Sequence, residues 1–260
     1  MTLVMGVLNV TPDSFYDGGR WQGAAAVARG CEMVEEGAAF VDVGGESSRP
    51  YATPVDEDEE LRRVVPVVRD LAQEVGGRAR VSVDTRKRRV AEAALDAGAT
   101  VLNDISASLW RVAADRGAGW VAMHMKGEPS DMMSQANYCD VVGEVKAFLE
   151  ERATQAASEG AREIWVDPGI GFAKTTAQNL VLLRHLRELV SSGWPVALGL
   201  SRKRFTGVVA SGSEASPAPA EDRLETSLAG AVWAMAQGVA IVRTHDVKVT
   251  ADAARLVGQV

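Results

Sequence analysis

The sequence predicts an α/β fold, a (β/α)8 TIM barrel forming a single domain over residues 1–260. Three observations carry this. The chain has 260 residues, the usual size of one barrel domain. One unit recurs along it: a short apolar run, a helical pattern, a glycine, then the next apolar run. The junction glycines, Gly37, Gly76-Gly77, Gly98, Gly117, Gly160, Gly193 and Gly238, mark seven junctions and therefore eight strands. Each stands where a left-handed cap would end a helix.

The expected strands are Val4–Asn9, Phe40–Gly44, Arg80–Asp84, Val101–Asp104, Trp120–His124, Ile164–Asp167, Val196–Leu200 and Ile241–Thr244. They are near-continuous apolar runs, as parallel strands buried on both faces require. Between them the apolar spacing turns helical. Leu61, Val64, Val65, Val68, Leu71 and Val75 make one stripe; Val141, Val145, Phe148, Leu149 and Ala156 make another, interrupted by Arg152. An open doubly wound sheet is the alternative, but eight evenly spaced units favour closure. The stretch Ser211–Glu221 departs from the rhythm and reads as a polar, flexible Pro/Ser/Ala-rich loop. The pattern resumes directly after it, so it marks no domain boundary.

Composition narrows the function. A hydrophobic share of 47% and a charged share of 24% are ordinary for a globular core. No apolar run reaches the roughly 18–20 residues of a membrane span, and the N-terminus lacks a signal pattern. Cys31 and Cys139 form neither metal nor disulfide spacing, which suits a reducing cytoplasm. A net charge of −7 argues against a nucleic-acid surface; an anionic ligand then needs positive charge focused locally.

In a barrel the active site forms at the C-terminal strand ends. Those ends carry Asn9, Asp84, Asn103-Asp104, His124, Asp167, Ser201-Arg202-Lys203, and Arg243 with His245; the loop after the second strand adds Glu46-Ser47-Ser48-Arg49. Ordinary alternatives exist: Asp84, Asn103 or Asp104 could cap the next helix, and His124 could bond only to backbone. His185 lies inside a helical pattern and reads as a surface residue. The Ser201–Arg204 segment places three cations in four residues, and Arg243-Thr244-His245-Asp246 ends the last strand. Barrels commonly bind phosphate in the loops after strands seven and eight. Arginine offers a planar fork to phosphate oxygens and lysine a compact charge. An anionic, phosphorylated ligand is expected at this mouth.

Eight segments, in order, resemble the dihydropteroate synthases: MGVLNVTPDSFYDGG over residues 5–19, DVGGESSRP over 42–50, SVDT over 82–85, NDIS over 103–106, MHMKG over 123–127, DPGIGF over 167–172, SRK over 201–203 and RTHD over 243–246. The resemblance spans nearly the whole chain. It implies condensation of 4-aminobenzoate with a dihydropterin methyl diphosphate, releasing diphosphate, in folate biosynthesis, and it implies a sulfonamide target. By the same resemblance Asp84, Asn103, Asp167 and Lys203 hold the pterin, with Ile105, Met123 and Phe172 as its apolar surround. Asn9, Arg243 and His245 contact the diphosphate, Asn9 also meeting Mg2+. Phe15, Asp17, Ser48, Arg49, Pro50 and Lys203 lie near 4-aminobenzoate and its loops. Asp84, Lys203, Arg243 and His245 are the expected catalytic set, and a homodimer the expected assembly, with small molecules rather than nucleic acid or membrane as partners.

The chemistry agrees: a carboxylate such as Asp167 can accept two adjacent pterin N–H donors. The implied mechanism is an SN1-like substitution in which Asp84 stabilises a pterin methylene cation and no protein nucleophile is needed. The anion subsite is expected to act apart from the pterin subsite. Some positions depart from the family pattern: Tyr16 for Ser, Tyr51 for Gly, and Ala107-Ser108 and Ala173 where glycines are frequent. Two other readings share the pterin pocket, a pterin-binding paralogue without synthase activity and a methyltetrahydrofolate-binding methyltransferase barrel. The Asn9–Gly19 loop, Ser201-Arg202-Lys203 and the Arg243/His245 pair argue against both, because they serve diphosphate and aminobenzoate.

Overall fold

The computed structural model describes residues 1–11, 22–49 and 52–259. Phe15, Asp17 and Pro50, with Tyr16 and Tyr51, lie outside the described residues. Strands and helices alternate: β1 (Leu3–Asn9), α1 (Gln22–Glu35), β2 (Phe40–Gly44), α2 (Glu57–Val75), β3 (Arg80–Asp84), α3 (Arg88–Asp96), β4 (Val101–Asp104), α4 (Trp110–Asp115), β5 (Gly119–Met123), α5 (Val141–Ser158), β6 (Ile164–Asp167), α6 (Thr176–Arg184), α7 (Leu186–Val190), β7 (Ala197–Gly199), α8 (Arg204–Ser211), α9 (Leu224–Ala236), β8 (Ile241–Thr244) and α10 (Val247–Val257).

Every ladder is parallel, and β1 pairs with both β2 and β8. The two ends of the strand order, β6 and β7, also meet, which closes the sheet and excludes the open doubly wound alternative. The thinnest seam lies between β6 and β7, joined by a bridge of Val166 to Val196 and by the Val166 N–H donating to the Pro195 carbonyl at 3.0 Å. There β7 is shorter than the expected Val196–Leu200, and β5 begins one residue earlier than expected. The junction glycines do what the pattern requires: all have positive φ, from 54° at Gly76 to 119° at Gly98.

The apolar residues divide into two layers. Met5, Phe40, Val101, Val121, Trp165, Ala197 and Ile241 form the floor inside the barrel. Arg80 lies beneath it, 5.4 Å from the Phe40 ring and 5.7 Å from Trp165, and pairs with Glu163 at 2.8 Å. A larger cluster fills the space between strands and helices. The α2 stripe is correct at Val64, Val68, Leu71 and Val75, but Val67 is buried and Val65 only half-buried. Arg152, which breaks the α5 stripe, lays its guanidinium 5.4 Å from Phe148 and 5.8 Å from Trp110, a cation–π use of an amphipathic stem. The Ser211–Glu221 loop is anchored at Ala218, whose N–H donates to the Gly207 carbonyl and whose carbonyl accepts from Arg223 Nε at 2.7 Å.

Two of the unusual positions gain a physical reason. Ala107 and Ala173 have φ of 48° and 49°, a left-handed conformation that costs an L-residue about 1–2 kcal/mol and glycine almost nothing. Glycine suits both positions for this reason.

Candidate active site

Strand register sets the ring. Asn9 is level with Gly44, Gly44 with Asp84, and Asp84 with Asn103; Met123 is level with Asp167, and Gly199 with Arg243. Alternation then decides what faces inward. Asn103 points in, and Asp104 points out to the helix layer. The Asp104 carboxylate accepts from the Ser106, Ser108 and Leu109 N–H groups and from Trp120 Nε1, so it shapes the start of α4. Met123 points in, and His124 points out, its ring 5.0 Å from Phe148. Neither Asp104 nor His124 joins the mouth, although both stand at strand ends.

The interior holds a charged knot that the strand-end reading missed. Asp42 is fully buried in mid-strand β2. Its Oδ2 accepts from Arg243 Nε at 2.6 Å and from Asn103 Nδ2 at 2.9 Å. Arg243 Nη2 donates to Asp84 Oδ2 at 2.7 Å. Arg243, expected at the diphosphate and in the catalytic set, therefore bonds Asp84 directly and is linked to Asn103 through Asp42, so the subsites interlock rather than stand apart. The Asn103 amide nitrogen is oriented toward Asp42, which leaves its carbonyl oxygen to accept from a ligand. Burial pushes the Asp84 carboxyl up to about 7 against the pull of Arg243, with the Asp42 and Glu60 charges adding to the rise. Burial opposes the Arg243 charge, but Asp42 and Asp84 outweigh it and hold its pKa above the ordinary arginine value. The signal for Asp42 was present in the sequence. A lone carboxylate inside Phe40–Gly44, an otherwise apolar strand, has to be paired if that strand is buried.

The opposite wall belongs to β6 and β7. Asp167 Oδ1 accepts from the Gly169 N–H at 2.7 Å, and burial raises its carboxyl above the ordinary value against the Lys203 charge. Lys203 Nζ donates to the Ile170 carbonyl and lies 4.7 Å from the Phe172 ring. Burial lowers its pKa to about 8, against the attraction of Asp167. The loop between these groups needs two glycines. A Cβ at Gly169, φ 65°, would stand 1.9 Å from the His124 carbonyl oxygen, and one at Gly171, φ 85°, would stand 3.0 Å from Lys203 Cδ. Ile105 and Met123 are buried nearby, and Phe172 is half-buried.

At the rim, the His245 backbone N–H donates to Ser201 Oγ at 3.2 Å, and Ser201 Oγ is 3.0 Å from His245 Nδ1. Either group can donate this second bond; with the Ser201 hydroxyl donating to Nδ1, the ring proton sits on Nε2. Burial and the Arg243 charge lower the His245 pKa to about 4, so it is a neutral N–H donor at pH 7. Exposed Arg49 contributes positive potential at His245 together with Arg202, and Ser48 is half-buried on the same loop. This is the local cationic focus that an acidic chain needs for an anionic ligand.

A second layer supports the ring. Glu60 accepts from Thr85 Oγ1 at 2.7 Å and pairs with Lys87; Lys87 also pairs with Glu46 and donates to the Val55 carbonyl at 2.7 Å. Lys174, unassigned in the sequence, is buried with its ammonium 3.0 Å from His124 Nδ1.

The pterin binding enzyme family matches residues 5–245. The chain is 43% identical over 264 residues to the dihydropteroate synthase of Mycobacterium leprae, covering 98% of this chain and 92% of that one. It superposes with a TM-score of 0.90 and 43% identity on Xanthomonas albilineans dihydropteroate synthase with 4-aminobenzoic acid, over 99% of this chain and 92% of that one. The same organism's enzyme in complex with 7,8-dihydropteroate superposes at 0.86 with 41% identity, over 99% and 93%. A buried Asp–Asn–Asp–Lys pocket crossed by an arginine, in a closed barrel matched along its whole length, places this chain in the pterin binding enzyme family, among the dihydropteroate synthases.

Proposed function

We infer that this chain is a dihydropteroate synthase: it condenses 4-aminobenzoate with (7,8-dihydropterin-6-yl)methyl diphosphate to give 7,8-dihydropteroate and diphosphate. The single observation that carries the reading is the knot in which Arg243 joins Asp84, Asp42 and Asn103 at the mouth of a family-matched barrel. A silent pterin-binding paralogue would need only the pterin groups, whereas His245 and Arg49 suit an anion; Arg202 beside them is paired with Asp246.

Asp167 and Asn103 Oδ1 accept the pterin N–H edge, with Met123, Ile105 and Phe172 against the ring faces. Arg243 and the Nε2–H of His245 donate to the diphosphate. The bond between the methylene carbon and the diphosphate oxygen breaks, and the electron pair leaves with diphosphate. Asp84 in its ionised form, which Arg243 favours against burial, faces the resulting cation. The 4-aminobenzoate nitrogen then forms the new C–N bond with its lone pair and gives up one proton to water. Ser48, Arg49 and Lys203 lie toward the aminobenzoate; Phe15, Asp17 and Pro50 are proposed there on the family pattern alone.

Among the described residues no cluster of three or more His, Cys, Asp or Glu could hold a metal. A divalent cation would therefore draw on substrate phosphates and water, with one protein oxygen. Asn9 Oδ1, 3.9 Å from the Cβ position of Gly44 at the end of β1, fits that minimal role. Such a donor set suits Mg2+, which would neutralise charge on the leaving diphosphate. Purified protein should release diphosphate only with both substrates and Mg2+ present, and Asn9→Ala should raise the Mg2+ concentration needed for half-maximal rate. Pterin binding without turnover would favour the silent paralogue.

We take the assembly to be a homodimer. Supporting this, Leu180 and Val181 on α6, Val209 on α8 and Trp233 on α9 are exposed, with Val209 and Trp233 49% and 47% exposed, on neighbouring helices. Sedimentation should give twice the chain mass, and Trp233→Glu should shift it toward the monomer; a monomeric wild type would refute this. No helix among the described residues is long and apolar enough to cross a membrane. Both cysteines are free thiols, in keeping with the cytoplasm as the proposed compartment.

A further inference from the structure

Lys174 lies outside the ring, yet it is 2% exposed. A lysine is rarely buried so fully unless its charge is paired, and among the described residues no carboxylate forms an ion pair with it. Its ammonium donates instead to the Phe172 carbonyl at 2.9 Å, to the Gly169 carbonyl at 3.1 Å and to His124 Nδ1 at 3.0 Å. The His124 carbonyl, at 3.5 Å, is a fourth and longer contact, so three protons are met by three close acceptors and one distant one. His124 is itself fixed: its N–H donates to the Asp167 carbonyl at 2.9 Å, and its ring abuts Phe148 and Tyr138. Burial, with the Lys174 charge beside it, lowers the His124 pKa to about 3, so the ring is neutral; facing an ammonium, which can only donate, Nδ1 is the acceptor. Two of the carbonyls that Lys174 holds, those of Gly169 and Phe172, lie within the turn from Asp167 to Phe172, and the Gly169 N–H is the donor that orients Asp167.

We propose that Lys174 is a positioning residue for pterin recognition: its ammonium clamps the loop 168–173 so that Asp167 and Phe172 face the pterin, and its charge helps keep the Asp167 carboxylate ionised. This rests on the reading of Asp167 as a pterin acceptor. A neutral amine would lack one of the three protons and turn a lone pair toward an acceptor, so the clamp depends on charge. The charges acting on it are Asp167, which favours the ammonium, and Lys203 and Lys126, which oppose it; the Tyr138 ring faces it at 5.9 Å. Burial, the largest influence, brings Lys174 down to about 7, so the clamp loosens as pH rises through neutrality.

Calorimetry with a pterin lacking the diphosphate, and separately with inorganic pyrophosphate, tests this on the whole chain. Lys174→Met keeps the packing volume and removes the charge. It should weaken pterin binding about tenfold or more while changing pyrophosphate affinity by less than about twofold. The ratio of variant to wild-type pterin Kd should be largest near pH 6 and shrink toward 1 by about pH 9, where the wild type has lost the same proton. Taking the ratio cancels the titrations of Lys203 and Asp84 to the extent that both proteins share them. His124→Phe, which removes one acceptor and leaves the charge, provides a second variant should Lys174→Met fail to fold, and it should weaken pterin binding by a smaller factor with the same selectivity. Wild-type pterin affinity in the folded variants, equal loss for both ligands, or a ratio independent of pH would overturn the proposal. An Asp167→Asn control separates the two readings. If it binds pterin normally the pterin assignment falls as well; if it binds weakly while the Lys174 and His124 variants bind normally, only the clamp falls.

Discussion

Asp167→Asn should weaken pterin binding by about 3 kcal/mol, roughly a hundredfold, while leaving the chain folded. The geometry makes the effect specific. Asp167 Oδ1 already accepts from the Gly169 N–H at 2.7 Å. An asparagine that preserves this bond must place its NH2 where Oδ2 stands, so it opposes a donor to the donor edge of the pterin. Flipping the amide does not rescue it, because the Gly169 N–H would then face NH2. Charge is lost as well, beside Lys203, whose pKa the Asp167 carboxylate raises against burial. Calorimetry with a bare pterin should show the loss, and pyrophosphate binding should be spared. Unchanged pterin affinity in a folded variant would remove Asp167 from the pocket.

Arg243→Ala should have the largest effect on stability as well as on binding. Two carboxylates, Asp42 and Asp84, would lose a shared cation at 2.6 and 2.7 Å, and Asp42 is fully buried. Leaving buried charge uncompensated costs about 3–5 kcal/mol. Loss of the charge-assisted contact should weaken diphosphate binding by about 1.5–3 kcal/mol. Bare pterin should weaken too, because Asp42 also orients Asn103. The variant has a pH signature. Asp84 already titrates near 7 rather than 3.8, so the folded protein holds more protons than the unfolded one in that window, and this group makes stability fall as pH rises from about 4 to 7. Without Arg243 the Asp84 carboxyl rises further, and the fall should continue to higher pH. Thermal denaturation across pH 5–9 would show a widening gap between variant and wild type; a constant gap would mean that the pair is not electrostatically coupled.

Five strands, Phe40–Gly44, Arg80–Asp84, Val101–Asp104, Ile164–Asp167 and Ile241–Thr244, could be read to the residue, because buried parallel strands are local apolar runs ended by local glycine signals. Closure also followed from counting the repeats. The polar strand ends followed from topology, since a barrel gathers all its C-terminal ends whatever the details.

What sequence alone determined about this chain was therefore the order of elements, the barrel and the short list of polar groups at its mouth. Tertiary structure decided which of them face one another. Register alone separates inward Asn103 from outward Asp104, and inward Met123 from outward His124. Arg243 reaches Asp42 across 201 positions of sequence, a pairing that no local pattern encodes. Lys174 carries no assignment in the sequence, and only the fold of the preceding turn, closing backbone carbonyls and a histidine around one amine, shows it to be buried. The physical reason is common to all three: backbone propensity and hydrophobic burial act over a few residues, whereas electrostatic pairing depends on distances set only when the barrel closes.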